Sequence, residues 1–231
     1  MHLPLKRLTP AELRSTMGAA QLGLQGFTRA TDEAGSLIQS WVGGEPVLAM
    51  AHYPPSDVTD QRRGFQFFYH CHRDEGLEHG HVHLFAHATR SGRRRRLRGE
   101  NPWARTDPSH LIAVGLDARG LPLSIFTVNR WVTGGHWLDA QTSLHWLQGL
   151  AFSDVPGHAH SCQWLSGFVQ MYLPVITRLL RQRDHWLARQ KDRALALEDQ
   201  GTEVISSAHI DWASDLERLE AELTLRNLKP P

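Results

Sequence analysis

The chain has 231 residues, 41% of them hydrophobic and 21% charged, which is the length of one globular domain able to bury a substantial core. Lys+Arg at 25 against Asp+Glu at 24 leaves a formal charge of +1, so no global basic surplus points to nucleic acid or to an anionic membrane surface. Two cysteines, Cys71 and Cys162, make no disulfide framework, and no apolar run of about 18 residues is present to span a bilayer.

The opening MHLPLKRLTP lacks the apolar centre of a signal peptide. The expectation is a cytoplasmic, bacterial-style protein with reduced thiols and no membrane association. From Thr9 to Ala30, a Thr-Pro start and an early Glu precede Leu13, Met17, Leu22 and Leu24, which predicts a helix with those four on its buried face. A second helical piece is expected over 32–41, and His52-Tyr53-Pro54-Pro55 then forces an extended or turning entry to the middle of the chain.

The middle reads as antiparallel strands over 65–72, 79–88, 111–116 and 121–129, mostly hairpin-connected. From Trp137 onward the pattern is helical: 136–152, then 163–199 divided or kinked at Pro174, then 207–227 with Trp212, Leu216, Leu219 and Leu223 as one apolar stripe. The fold class is therefore α+β: an antiparallel sheet of about four strands covered by N- and C-terminal helices. The whole is a single domain, 1–231, with N-terminal helices in 1–50, the histidine-bearing sheet in 51–131 and the C-terminal helices in 136–227. The stripe suits packing, or a homodimer formed through the C-terminal helices.

Histidine is the outlier. Six of the 15 (His70, His72, His79, His81, His83, His87) fall between positions 70 and 87. Residues two apart on a strand share a face, and 73–78 is a short connection, so the two strands form a hairpin. A register with His70 opposite His81 and Phe68 opposite His83 gathers the imidazoles on one face, and a slip of one residue would scatter them. Several buried imidazoles need partners and repel one another when protonated. A divalent metal resolves both difficulties.

The ligand candidates are His70, His72, His79, His81 and Glu78, the last either ligating or orienting an imidazole. His83 and His110 are placed to handle protons. Two histidines with a carboxylate compose the non-haem iron facial triad, whereas three histidines with an open position suit hydrolytic zinc. Iron is favoured, with zinc, copper or haem as alternatives. Gly64, His70-x-His72 and Glu78 also resemble part of the first cupin motif, although the Glu is set slightly far and the second motif is missing.

Downstream, Asn129, Arg130 and Trp131 at a strand end can grip and stack on a small anionic substrate. The loop ATRSGRRRRLRGE reads as a solvated excursion rather than a nucleic-acid patch. His158, His160 and Cys162 form a looser group that reads as incidental.

The succession FFYHCHRDEGLEHGHVHLF, SHLIAVGLDARGLPL, FTVNRWVTGG and WLSGFVQMYLP resembles an uncharacterised bacterial domain family over roughly residues 50 to 225. That resemblance implies no activity. The residues favour a non-haem iron oxidoreductase acting on a small anionic molecule. The rivals are a haem- or metal-binding protein without turnover and a helical interaction protein.

Overall fold

Helix α1, Pro10–Ala34, begins on a capping box: Thr9 Oγ1 accepts from the Glu12 N–H at 3.3 Å and the Glu12 carboxylate accepts from the Thr9 N–H at 2.8 Å. The computed structural model describes residues 2–71, 78–95, 107–153, 155–229 and 231. Leu13 and Met17 are buried as the helical period requires, but Leu22 and Leu24 are 42% and 43% exposed. The reason is how α1 meets α5, Ala159–Met171. A Cβ on Gly26 would lie 2.4 Å from the Trp164 nitrogen, and one on Gly167 would lie 2.2 Å from the Gly23 nitrogen. So close a backbone approach turns the small residues of α1 inward and leaves the two leucines out.

The strands are β1 (Tyr53–Asp60), β2 (Phe65–His70), β3 (Gly80–Ala86), β4 (Ser109–Leu116), β5 (Pro122–Val128) and β6 (Val204–His209). They form one antiparallel sheet in chain order. The fold is α+β, with six strands rather than about four. Both additions are edge strands. In β1, Pro54 and Pro55 mask the strand signal, and an edge tolerates their missing donors. In β6, the short polar run VISSAH stands inside a helical stretch and is a strand only because β5 pairs with it, Phe126 opposite Ser207.

One sheet face supplies Phe67, Tyr69, Val82, Leu84, Ile112, Val114 and Ile125, which join Trp41 and the helical residues Trp164, Phe168, Leu179 and Leu180 in a single core. Each such fully buried side chain contributes about 1.5–3 kcal/mol. Pro174 divides the long helical run into α5 and α6 (Leu173–Ala188). Helices α2 (Gln39–Val42), α3 (Arg130–Thr133), α4 (Ala140–Gln148), α7 (Arg193–Leu197) and α8 (Trp212–Leu225) complete the chain.

On α8, Trp212, Leu219 and Leu223 are buried, and Trp212 packs edge-on against Phe27 of α1 at 5.3 Å. Trp212, Leu219 and Leu223 of the apolar stripe are thus used in packing within the chain. Among the described residues no helix is long and apolar enough to cross a membrane.

Candidate metal centre

The histidines are on the sheet face opposite the core. β2 and β3 pair with Phe68 opposite His83 and His70 opposite His81, the expected register that gathers the imidazoles on one face. His70, His81 and His83 are all buried, and each offers a ring nitrogen within 4.8 Å of the others. These three histidines can hold a metal ion. The Nε2 atoms of His70 and His81 are 2.8 Å apart. His81 Nδ1 lies 2.8 Å from Glu78 Oε1, so its N–H donates to the carboxylate and the neutral ring presents Nε2 as a lone pair. Ser124 Oγ donates to the other Glu78 oxygen at 3.3 Å.

His83 Nδ1 is 3.1 Å from His110 Nε2 on β4. Burial holds His83 well below the usual imidazole range, and repulsion from His110, His81, His70 and His52 adds to it. Burial likewise pushes His110 down to about 3, helped by Arg183 and His81. Both rings are therefore neutral at pH 7, the form that binds metal. His83 belongs to the converging triad, and His110 stands behind it as the group that orients it.

Other candidates fall elsewhere. His72 lies outside the described residues. His79 precedes β3 and escapes the strand alternation: its Nδ1 accepts from the Tyr69 hydroxyl at 2.6 Å, away from the triad. Asn129 is fully buried, caps α3 through the Arg130 N–H at 2.8 Å, and donates its amide to the carbonyls of Ala196 at 2.9 Å and Thr202 at 3.1 Å. Arg130 pairs with Glu198. These two residues tie the end of β5 to α7 and the segment after it. Trp131 also donates to Thr202 O, at 2.9 Å, but its ring does line the site. His160 bonds Glu33 of α1 at 2.9 Å, far in the fold from the sheet face.

The triad forms one wall of a cavity of about 420 Å³ lined also by Met50, Phe68, Phe85, Trp131 and Val132. Its charged lining residues are Asp57 and Glu203, with no lysine or arginine among the described residues. Three further residues were not apparent from the sequence. His52 lies flat on Phe68, ring centroids 3.6 Å apart, and its Nδ1 is 3.1 Å from Asp57 Oδ1. Asp57 sits at the β1 irregularity with φ of 52°, a left-handed conformation costly for a residue other than glycine. Its other oxygen accepts from Gln66 Nε2 at 2.5 Å, and Gln66 Oε1 in turn accepts from buried His87 at 2.7 Å. The only advance signal was the Pro-Pro pair that disrupts β1.

The model of a family described as a domain of unknown function, DUF6969, matches residues 18–210. The chain belongs to that family. Like the resemblance drawn from the hairpin, membership of DUF6969 carries no activity, so the chemistry has to come from the residues. No curated protein and no solved structure matches the chain.

Proposed function

We propose that this DUF6969 protein is a metal-dependent enzyme that holds its ion on His70, His81 and His83 and reacts a small molecule in the adjoining cavity. One observation carries the reading: three buried imidazoles from neighbouring strands converge within 4.8 Å on the wall of a cavity of about 420 Å³. The sheet is stabilised by its other face, so stability gives no account of three buried imidazoles converging here. The Glu78–His81 hydrogen bond is the usual support of a ligating histidine.

Iron and an oxidative reaction are the first assignment. Iron would be held by the imidazoles of His70, His81 and His83 and would supply oxidative chemistry toward a molecule in the adjoining cavity. The walls of Phe68, Phe85, Trp131 and Val132 favour a largely apolar molecule. The anionic substrate expected from Arg130 gains no support, because the lining charges are carboxylates; a neutral substrate fits better. Hydrolytic zinc is the second assignment, favoured by the all-histidine donor set with Glu78 orienting rather than ligating. Cys71 and Cys162 are buried thiols, which supports a reducing, cytoplasmic setting.

Metal analysis of freshly purified protein, followed by oxygen-electrode measurements on iron-loaded and zinc-loaded samples, tests the assignment. One equivalent of iron with oxygen uptake supports the first reading. Zinc with ester hydrolysis transfers it to the second, and protein that retains no transition metal overturns both.

Gly115 offers a finer test. A Cβ there would lie 2.2 Å from Glu78 Oε2 and 2.4 Å from Ser124 Oγ, so Gly115→Ala displaces the carboxylate that orients His81. Metal affinity should fall about 10–100-fold with all three ligands intact. Competition against a chelator of known affinity measures it, and an unchanged constant removes Glu78 from the site.

A further inference from the structure

We infer that a second cavity, of about 680 Å³ and lined by Arg63, Arg93, Arg94 and His145, binds a small, multiply charged oxyanion. It borders Phe65 at one end of β2, while His70 of the metal centre is at the other, about 16 Å away at the rise of an extended strand. The inference is independent of the metal reading.

The charge is one-sided. No Asp or Glu lines the cavity among the described residues, and none of the three guanidinium groups forms an ion pair among them. The neighbouring carboxylate is already committed: Asp60 is buried and accepts from the N–H groups of Arg62 at 2.9 Å, Arg63 at 2.8 Å and Ser153 at 2.6 Å, and from Ser153 Oγ at 2.7 Å. Three like charges around one concavity repel one another, and an oxyanion that accepts from several guanidinium forks relieves that repulsion.

The scaffold is fixed. The turn bearing Arg93 closes through Gly92 N–H to Thr89 O and Thr89 N–H to Arg93 O, both 2.8 Å, and Trp146 Nε1 of α4 donates to Gly92 O at 2.8 Å. A Cβ on Gly92 would lie 2.3 Å from the Thr142 methyl, so the turn sits directly on the helix. Arg94 is anchored by its guanidinium on the Arg62 carbonyl. An arrangement held before the ligand arrives loses little on binding. The arginines gather around one concavity rather than along the extended basic track that a nucleic-acid strand follows, and the chain as a whole carries only +1.

Calorimetric titration of the full chain with inorganic pyrophosphate and with citrate, at low salt, tests this. At least one should bind at one site per chain, and which one separates phosphate from carboxylate as the ligand's charged group. The double variant R63Q/R93Q should weaken it at least about tenfold, the loss of a hydrogen bond to a charged group. Both arginines are exposed, so the variant should keep its circular dichroism, and H81A should bind the anion as the native protein does. Binding of neither anion, binding unchanged in R63Q/R93Q, or binding of a single-stranded oligonucleotide without either small anion overturns the inference.

Discussion

His81→Ala should abolish both stoichiometric metal binding and the thermal stabilisation that metal confers on the native protein. His81 is the hub of the centre: its Nε2 is 2.8 Å from that of His70, its ring centroid is 4.6 Å from His83's, and its Nδ1–H is held by Glu78. A ligand that binds only the folded state stabilises it by about 4 kcal/mol at a thousandfold excess over the dissociation constant. For a chain of this size that raises the melting temperature by about 10 °C.

In H81A the ion loses a ligand together with the support that Glu78 gives it, so the shift should shrink to near zero. The matched control is His79→Ala, two residues away on the same hairpin. His79 is spent on the Tyr69 hydroxyl, so H79A should keep both the metal and the shift. Equal metal content in H81A and the native chain, by elemental analysis, would sink the triad.

The contrast between those two variants marks how far the residue pattern could be read. Parity alone put His70, His81 and His83 on one face, because one buried face forbids a slip of one residue. It could not tell that β3 starts at Gly80, and so counted His79 with the ligands although it lies beyond the alternation. His83 was readable as a member of the face but not as a converging nitrogen, since that depends on β4 bringing His110 behind it at 3.1 Å.

Asn129 and Arg130 looked like a substrate grip because their partners, Ala196, Thr202 and Glu198, are remote in sequence. β6 and the His52–Asp57 pair were hidden for a related reason. The first is a strand only by pairing with β5, and the second depends on a backbone irregularity in β1 that alternation does not encode. Local patterns with one period were legible, and features assembled from distant segments were not.

Acidification should destabilise the metal-free protein steeply between pH 6.5 and pH 5. Among the histidines with lowered values in the folded state, which include His136 and His158, three are shifted furthest. His83 is depressed chiefly by burial, His110 lies at about 3 for the same reason, and His87 lies at about 4 through burial and the nearby Arg95. In the unfolded chain each returns to about 6.5. Between those limits the unfolded state binds protons that the folded state refuses, so the stability present above pH 6.5 is lost as pH falls toward the folded values.

Each histidine contributes a slope of about 1.4 kcal/mol per pH unit, and three of them over 1.5 units remove up to about 6 kcal/mol, comparable with the whole stability of many domains. Urea unfolding of chelator-treated protein at pH 7.5, 6.5, 5.5 and 5 measures the slope. His87→Gln retains a donor for Gln66 but cannot titrate, so it should flatten the slope by about a third without altering stability at pH 7.5 by a comparable amount. A stability that is level from pH 7.5 to 5 would mean that these rings are not buried as neutral groups. In that case His83 would not be the ready, proton-free ligand that the metal centre requires.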